Sequence, residues 1–212
     1  MTTETMTIHR GLAELKVLDS RIEKEIGQTT FAYPNRHSNS KINGETIDIV
    51  KGNIKANYDK INSLMSRKSA IKRAIDLSNS KTMVKVGNTE MTVVEAINMK
   101  NHGISDYQLL LIKLESAYKT AIAKISNENN VLEEKAETYV VSMYGGKDTK
   151  TDASIIKKAK EDFIESNQYD LVDGIGILNE INKLKDKIYN FCAEVDAVLS
   201  ESNAVTQISI EY

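Results

Sequence analysis

The sequence predicts a mainly α-helical protein of long antiparallel helices, arranged as a helical hairpin or bundle, with a small β-hairpin and a possible C-terminal strand. Apolar residues recur at three- and four-residue steps over several long segments, the period of one helical face. The 212 residues include a single proline, which argues against a turn-rich β-sandwich. The best hairpin signal is Met83–Met91, where alternating residues flank the turn dipeptide Gly87-Asn88, and it predicts the hairpin.

The first half of the chain contains two predicted long helices joined by a polar loop. Thr7 is placed to cap the first helix, and Gly27 is placed where a left-handed residue would end it. The predicted segments are a helix over Thr7–Ile26, a short strand over Thr29–Tyr33, a polar loop over Pro34–Gly44 and a helix over Thr46–Leu77.

The second half begins after the hairpin with Thr92-Val93-Val94-Glu95, a capping box that starts a short helix. That short helix is predicted to end near His102-Gly103. The predicted segments that follow are the longest helical run over Ile104–Tyr144, a fifth helix around Ile155–Ile164, a sixth after Gly176 and a strand within Val205–Tyr212. We expect two parts, residues 1–103 and 104–212, that fold as one cooperative unit.

The length of the run that ends at Tyr144 bears on oligomeric state. Unbroken from Ser105, it would extend roughly 60 Å, whereas a compact chain of this size has a diameter of only about 43 Å. Either the helix breaks near Ser126–Asn130, or the protein is elongated and covers its apolar stripes by self-association. In a coiled-coil-like seam, asparagines in this stretch would fix register. We expect a homo-oligomer, with a kinked monomeric bundle as the alternative.

Charge and composition exclude several classes of protein. The formal net charge of −2 excludes a globally basic nucleic-acid binder, so a nucleic-acid partner is disfavoured. A single cysteine, Cys192, excludes an intramolecular disulfide framework and is expected to be a small buried thiol. The sequence shows no signal peptide and no apolar run long enough to span a bilayer. We therefore expect a cytoplasmic protein with no membrane partner.

No catalytic or metal-binding pattern stands out. His9, His37 and His102 lie in three separate segments without a partner at metal-ligand spacing. The stretch Gly145–Thr149 resembles a phosphate loop only faintly, because a helix precedes it and aspartate follows its lysine. We interpret it as a helix end followed by a turn. The prediction is a protein that is not an enzyme, with no catalytic residues, no metal and no cofactor.

Two groups of residues are candidates for ligand binding. Arg67, Lys68, Lys72 and Arg73 form the densest basic cluster and cover one broad side of a helix turn. They could hold the phosphates of a nucleotide or of nucleic acid, or they could form a solvated face that pairs with carboxylates. The second group is Arg36 and His37 in the polar loop, which has the length of a binding loop, although a loop can also be polar simply because it is solvated.

Several segments carry a resemblance to known proteins. These segments are Gly11–Lys16, Asp19–Lys24, Ile61–Leu64, Ala70–Ile75 with Ser78-Asn79, and Thr92–Ile97. In them the chain resembles uncharacterised phage and prophage helical proteins of low-GC Gram-positive bacteria. More loosely, over residues 7–100, it is similar to septicolysin-type helical hairpins. The resemblance implies a phage-linked, helical and non-enzymatic role, and it assigns no functional residue.

Three functions follow as expectations. The first is a phage-type oligomeric binding protein that antagonises host defence in the host cytoplasm, either by sequestering a nucleotide signal or by occluding a host defence protein. The second is a virion structural or assembly component, which long helices and self-association favour. The third, which the lack of a catalytic pattern disfavours, is an enzyme acting on a nucleotide, in which Arg67 or Arg73 would be required for turnover.

Overall fold

The computed structural model describes residues 3–145 and 152–212, and 73 % of these residues are helical. The mainly α class predicted from the sequence is confirmed. The helices of the described residues are α1 (Ile8–Gln28), α2 (Ile47–Asn79), α3 (Val93–Asn98), α4 (Ile104–Asn130), α5 (Leu132–Tyr144), α6 (Ala153–Asn167) and α7 (Ile177–Val205). The strands are β1 (Thr3–Thr7), β2 (Lys41–Ile42), β3 (Glu45–Thr46), β4 (Met83–Val86), β5 (Thr89–Thr92) and β6 (Gln207–Glu211).

The chain divides into two compact units. The first unit comprises Met1–His102 and Asn190–Tyr212, and the second comprises Gly103–Tyr189. The last part of α7 and β6 belong to the first unit because β6 pairs antiparallel with β1, with Thr5 opposite Ser209. The sequence predicts β6, but it does not predict β1 or the pairing that brings the two ends of the chain together.

The core of the first unit lies between the β1–β6 sheet and the two long helices. Ile8, Ile71 and Ile210 are at most 1 % exposed, and they pack in one cluster with Met6 and Ile208. Helices α1 and α2 run antiparallel, since ion pairs join Glu25 to Lys60 and Asp19 to Lys68. This pair is the predicted helical hairpin.

Gly11 lies where α1 packs closely against the rest of the core. A Cβ atom at this position would lie 3.3 Å from the side chains of Ile71 and Ile75 and 3.4 Å from that of Ile208. The two distances of 3.3 Å are shorter than ordinary van der Waals contact, and the distance to Ile208 is at its lower limit. Only glycine therefore lets α1 lie this close to α2 and β6 without displacing a neighbour.

The predicted β4–β5 hairpin and the capping box that follows it are both confirmed. Gly87 takes φ 59° in the turn, and its N–H donates to Glu194 of α7 over 2.9 Å. At the start of α3, Thr92 and Glu95 cap each other's backbone amides. Helix α3 does not end near His102-Gly103 as expected, because a π-helical turn over Met99–Gly103 leads directly into α4.

The long run of the second unit is broken after Asn130. Helix α4 ends there, Val131 leaves helical geometry with φ −100° and ψ 1°, and α5 begins at Leu132. Asn129 donates to the carbonyl of Tyr169 and accepts from its N–H, both over 2.9 Å. The predicted break thus lies one residue beyond the expected stretch, and Asn129 ties the end of α4 to the segment before α7.

Asp173 caps the start of α7 and gives the fold a local pH dependence. Its carboxylate accepts the N–H groups of Ile175, Gly176 and Ile177 over 2.8–3.0 Å. These hydrogen bonds, led by that from Ile175, hold the pKa of Asp173 below its ordinary value of 3.8. Because the folded-state pKa is lowered, the stabilisation is present above about pH 4 and is lost as the pH falls through the lowered pKa.

We expect acid, or the variant Asp173→Ala at neutral pH, to fray the first turn of α7. Amide hydrogen exchange at residues 175–177, followed by NMR from about pH 6 to pH 3, measures the effect. Exchange there should accelerate in Asp173→Ala and remain unchanged in the matched variant Asp170→Ala. Equal protection of these amides in all three proteins would contradict the assignment of Asp173 as the cap.

Three local expectations for the first half of the chain are wrong. Gly27 lies inside α1, which continues to Gln28 and is followed by Thr29 with φ −95°. The stretch Thr29–Tyr33 forms no strand. The end of the polar loop instead forms a short hairpin with β3. Its strands β2 and β3 have two residues each, and the turn residues Asn43 and Gly44 take φ 51° and 89°. Asn-Gly is the dipeptide that such tight hairpins favour, so this signal was present in the sequence.

Candidate functional site

Arg67 of the basic cluster is used inside the first unit. Its Nη2 lies 2.9 Å from Glu4 Oε2 on β1, and its Nε donates to Glu14 on α1. The guanidinium carbon lies 4.6 Å from the centre of the Tyr212 ring. The hydrogen bond to Glu14, followed by that to Glu4, holds the pKa of Arg67 above its ordinary value. Arg67 of α2 therefore contacts β1, α1 and the residue that follows β6, and its charge is already matched by two carboxylates.

The other three cations of the cluster differ in their surroundings. Lys68 forms an ion pair with Asp19 on α1. Lys72 and Arg73 are exposed, and neither forms an ion pair with any residue that the structure describes. The four side chains predicted as one site thus separate into two that support the fold and two whose charges remain available to a ligand.

A groove runs between α2 and β6 and contains one of the two available cations. We refer to it as the α2–β6 groove. It has a volume of about 580 Å³ and is lined on α2 by Ser66, Ala70, Arg73, Ala74 and Leu77, and on the other side by residues 209–212. The α2 residues recur every three or four positions and so form one helical stripe. The Leu77 side chain is 56 % exposed there, so the groove combines an apolar floor with a positive charge.

The edge of β6 that borders this groove has backbone groups that no described residue pairs with. The Ile8 N–H donates to the Thr206 carbonyl over 3.0 Å, and Met6 and Glu4 lie opposite Ile208 and Ile210. Because hydrogen-bonded and non-hydrogen-bonded pairs alternate in an antiparallel ladder, residues 206, 208 and 210 direct their backbone groups toward β1. The N–H and C=O groups of Ser209 and Glu211 therefore point to the opposite edge of β6.

The loop candidates Arg36 and His37 lie away from the basic cluster. Both are exposed, and the Arg36 carbonyl accepts the Asn39 N–H over 2.9 Å in a turn. The segment just before this loop packs against α2, where the rings of Phe31 and Tyr58 lie 6.5 Å apart. Tyr58 is nine residues before Arg67, about 14 Å along the helix. A smaller pocket of about 150 Å³ lies beneath this loop, but neither Arg36 nor His37 lines it.

Cys192 is exposed, not buried as expected. Phe191, its neighbour on α7, is 6 % exposed and takes the core position. One residue corresponds to a rotation of about 100° around a helix, so Cys192 faces away from the core that Phe191 enters. The sequence shows that Phe191 and Cys192 are adjacent, but it does not show which of the two side chains is buried in the core.

The described residues contain neither a metal-binding cluster nor a membrane-spanning helix. Over residues 3–145 and 152–212, no three histidine, cysteine, aspartate or glutamate side chains come together in a way that could hold a metal ion. In the same ranges, no helix has the length and apolar character to cross a membrane. Helix α5 ends at Tyr144, with Gly145 at φ 82°. Residues 146–151, which include most of the stretch that resembles a phosphate loop, lie outside the described residues.

No protein family, curated protein or solved structure matches this chain.

Proposed function

We propose that this protein is a non-enzymatic binding protein that holds a partner protein in the α2–β6 groove. The supporting observation is the composition of the groove, in which a floor of Ala70, Ala74 and Leu77 lies beside the unmatched charge of Arg73. Protein-binding surfaces combine apolar area with a polar rim, and arginine is enriched in them. As part of the proposal, the partner is a host defence protein in the cytoplasm of the infected cell, which this phage-type protein occludes.

The distribution of charge favours a protein partner over a nucleotide signal. A nucleotide with several phosphates is held by several charge-assisted hydrogen bonds at once. Arg67 already donates to Glu4 and Glu14, and Lys68 already pairs with Asp19. A nucleotide could contact Arg73 and Lys72 directly, but it would have to displace these carboxylates to contact Arg67 and Lys68 as well. An acidic side chain of a protein needs only Arg73 or Lys72.

The variant Arg73→Glu tests this function. We expect the purified chain to bind one member of a panel of purified host defence proteins in isothermal titration, and to give no heat with a panel of cyclic nucleotides. Arg73→Glu should weaken protein binding at least tenfold, because reversing the charge costs several kcal/mol at a complementary interface. The matched variant Lys55→Glu makes the same charge change on an exposed part of α2 and should bind as the wild type does.

Two results of that titration would contradict the proposal. One is heat from a cyclic nucleotide that disappears in Arg73→Glu, which would instead support sequestration of a nucleotide. The other is protein binding that Arg73→Glu and Lys55→Glu weaken equally, which would place the partner away from the groove.

A second candidate function, a virion structural or assembly component, is supported by one face of α4. Leu109 and Ile112 are each 60 % exposed and Leu110 is 48 % exposed. The half-buried residues of α4, which include Tyr107, Leu111, Leu114 and Tyr118, lie on the opposite side of the helix. Exposed apolar clusters of this kind mark interaction sites.

The charges beside these leucines favour a second copy of the chain as the occupant of this face. Asp106 and Lys113 lie symmetrically on either side of Leu109-Leu110. If two copies of α4 pack antiparallel about that point, Asp106 of each copy faces Lys113 of the other. The same face is thus complementary to itself, as a two-fold symmetric interface requires.

We expect the double variant Leu109→Gln/Ile112→Gln to be monomeric at concentrations where the wild type forms a homo-oligomer. Light scattering coupled to size-exclusion chromatography measures the mass of each protein. Ile155→Gln, which changes a half-exposed isoleucine on α6, is the matched control and should keep the oligomeric mass. A wild-type chain that is monomeric up to about 100 μM, roughly the weak end of specific association, would exclude an assembly role for α4.

A further inference from the structure

We propose that the α2–β6 groove binds an extended segment of the partner as a third strand on the free edge of β6, with apolar side chains toward α2 and an acidic side chain at Arg73. This inference rests on the proposed function and deepens it, since it states how the partner binds. Strand addition of this type gives affinity through backbone hydrogen bonds and specificity through alternate side chains.

The first support is the set of backbone groups on the free edge. Ser209 and Glu211 each offer one outward N–H and one outward C=O, because the ladder to β1 uses residues 208 and 210. The spacing between two such residues matches that between alternate residues of an added strand. The two residues also line the groove itself. The edge is therefore open at the position where the floor of the groove begins.

The second support is the width of the helical layer beneath the sheet. Two packed helices lie about 8–10 Å apart, whereas two paired strands lie only about 4.8 Å apart. On α2, Lys68 faces α1 through Asp19, while Ala70, Arg73 and Leu77 lie on the other flank and line the groove. This flank of α2 extends past β6 and provides a floor for a further strand.

The same widths argue against a second copy of β6 as the occupant. In an antiparallel pair of β6 strands, both sheets would present their core faces on the same side. The four helices, α1 and α2 of each copy, would then form a layer about 40 Å wide beneath four strands that span only roughly 20 Å, so the helices of the two copies would collide. A strand that carries no helices of its own fits the groove without this conflict.

The third support is charge. Arg73 lines the groove and Lys72 directly precedes it on α2, and both are free of ion pairs among the described residues. An acidic side chain on the added strand would match Arg73. The segment that fits is therefore a short alternating sequence, apolar at every second position, with one acidic residue.

The probe for this inference is a fluorescein-labelled octapeptide of alternating valine and threonine with one central aspartate. Two companion peptides carry lysine in place of aspartate, or N-methyl groups on the amides of one edge. We expect fluorescence anisotropy with the full chain to show that the aspartate peptide binds at least tenfold more tightly than either companion. In Arg73→Glu the preference between aspartate and lysine should reverse.

The variant Ser209→Pro tests the edge itself. It removes an outward N–H and no ladder bond to β1, and proline is tolerated at such an edge position. Thr5→Pro is the matched control, because Thr5 lies opposite Ser209 and directs its N–H to the other edge of the sheet. We expect Ser209→Pro to weaken the aspartate peptide at least tenfold and Thr5→Pro to leave it unchanged.

A second measurement applies even if Ser209→Pro fails to fold. In the wild type, the aspartate peptide should slow amide hydrogen exchange at Ser209 and Glu211 at least tenfold. Unchanged exchange there, equal affinity for the aspartate and lysine peptides, or equal weakening by Thr5→Pro and Ser209→Pro would each overturn strand addition. If strand addition fails while Arg73→Glu still weakens binding of the defence protein, the proposed function stands and the partner binds the groove as a folded surface.

Discussion

Replacing Arg67 by alanine is expected to lower the free energy of unfolding by about 2–3 kcal/mol. Removing one partner from a fully buried ion pair costs about 3–5 kcal/mol, and the Arg67 side chain is 17 % exposed while Glu4 and Glu14 are 33 % and 24 % exposed. The loss is therefore somewhat smaller. It arises because two carboxylates remain close together without their cation, and because the guanidinium no longer packs on Tyr212.

Urea unfolding followed by circular dichroism measures this change, and Lys68→Ala is the matched control. Lys68 is adjacent in sequence and also pairs with a carboxylate, but the Lys68 and Asp19 side chains are 42 % and 56 % exposed. Exposed ion pairs contribute at most about 1 kcal/mol. Adding Glu4→Gln and Glu14→Gln to Arg67→Ala should recover part of the loss. Equal effects of Arg67→Ala and Lys68→Ala would show that Arg67 is a surface cation.

Replacing Gly11 by leucine is expected to lower the free energy of unfolding by roughly 2–3 kcal/mol. Overpacking a core costs about 1–3 kcal/mol and more where neighbours cannot move. Even a Cβ at this position would approach Ile71 and Ile75 to 3.3 Å, and three further carbons would have to enter the same space. Helix α1 would have to move away from α2 and β6 to admit them.

Gly27→Leu is the matched control on the same helix. No atom lies within 4 Å of a Cβ built at Gly27, so only helix propensity changes there, and it favours leucine by roughly 0.5–1 kcal/mol. The two variants should therefore change the free energy of unfolding in opposite directions. A Gly11→Leu protein as stable as Gly27→Leu would contradict the close packing of α1 on the core.

The sequence predicts the helices of this fold well because their signals are local. The three- and four-residue steps of apolar residues place α1, α2 and α7, and the Thr92–Glu95 capping box places the start of α3. The Asn43-Gly44 hairpin was missed because its flanking strands are only two residues long each. Such strands show no alternation of apolar and polar residues from which a hairpin could be recognised.

What the sequence cannot predict is the contacts between distant segments. Thr3–Thr7 is polar and becomes a strand only because Gln207–Glu211 pairs with it. Arg67 and Arg73 are both arginines of α2 with similar local sequence surroundings, yet Arg67 has carboxylate partners 53 and 63 residues earlier in the chain. The α2–β6 groove arises from this same pairing of the two ends, so no local pattern marks it.

The groove itself is tested most directly by NMR spectra of ¹⁵N-labelled protein titrated with the aspartate peptide. We predict that chemical-shift changes concentrate at the amides of Ala70–Leu77 and Ser209–Tyr212, and that Arg73→Glu removes them while Lys55→Glu does not. Changes centred on the loop around Arg36 and His37, or on α4, with the groove amides unmoved, would contradict the assignment of the α2–β6 groove as the binding site.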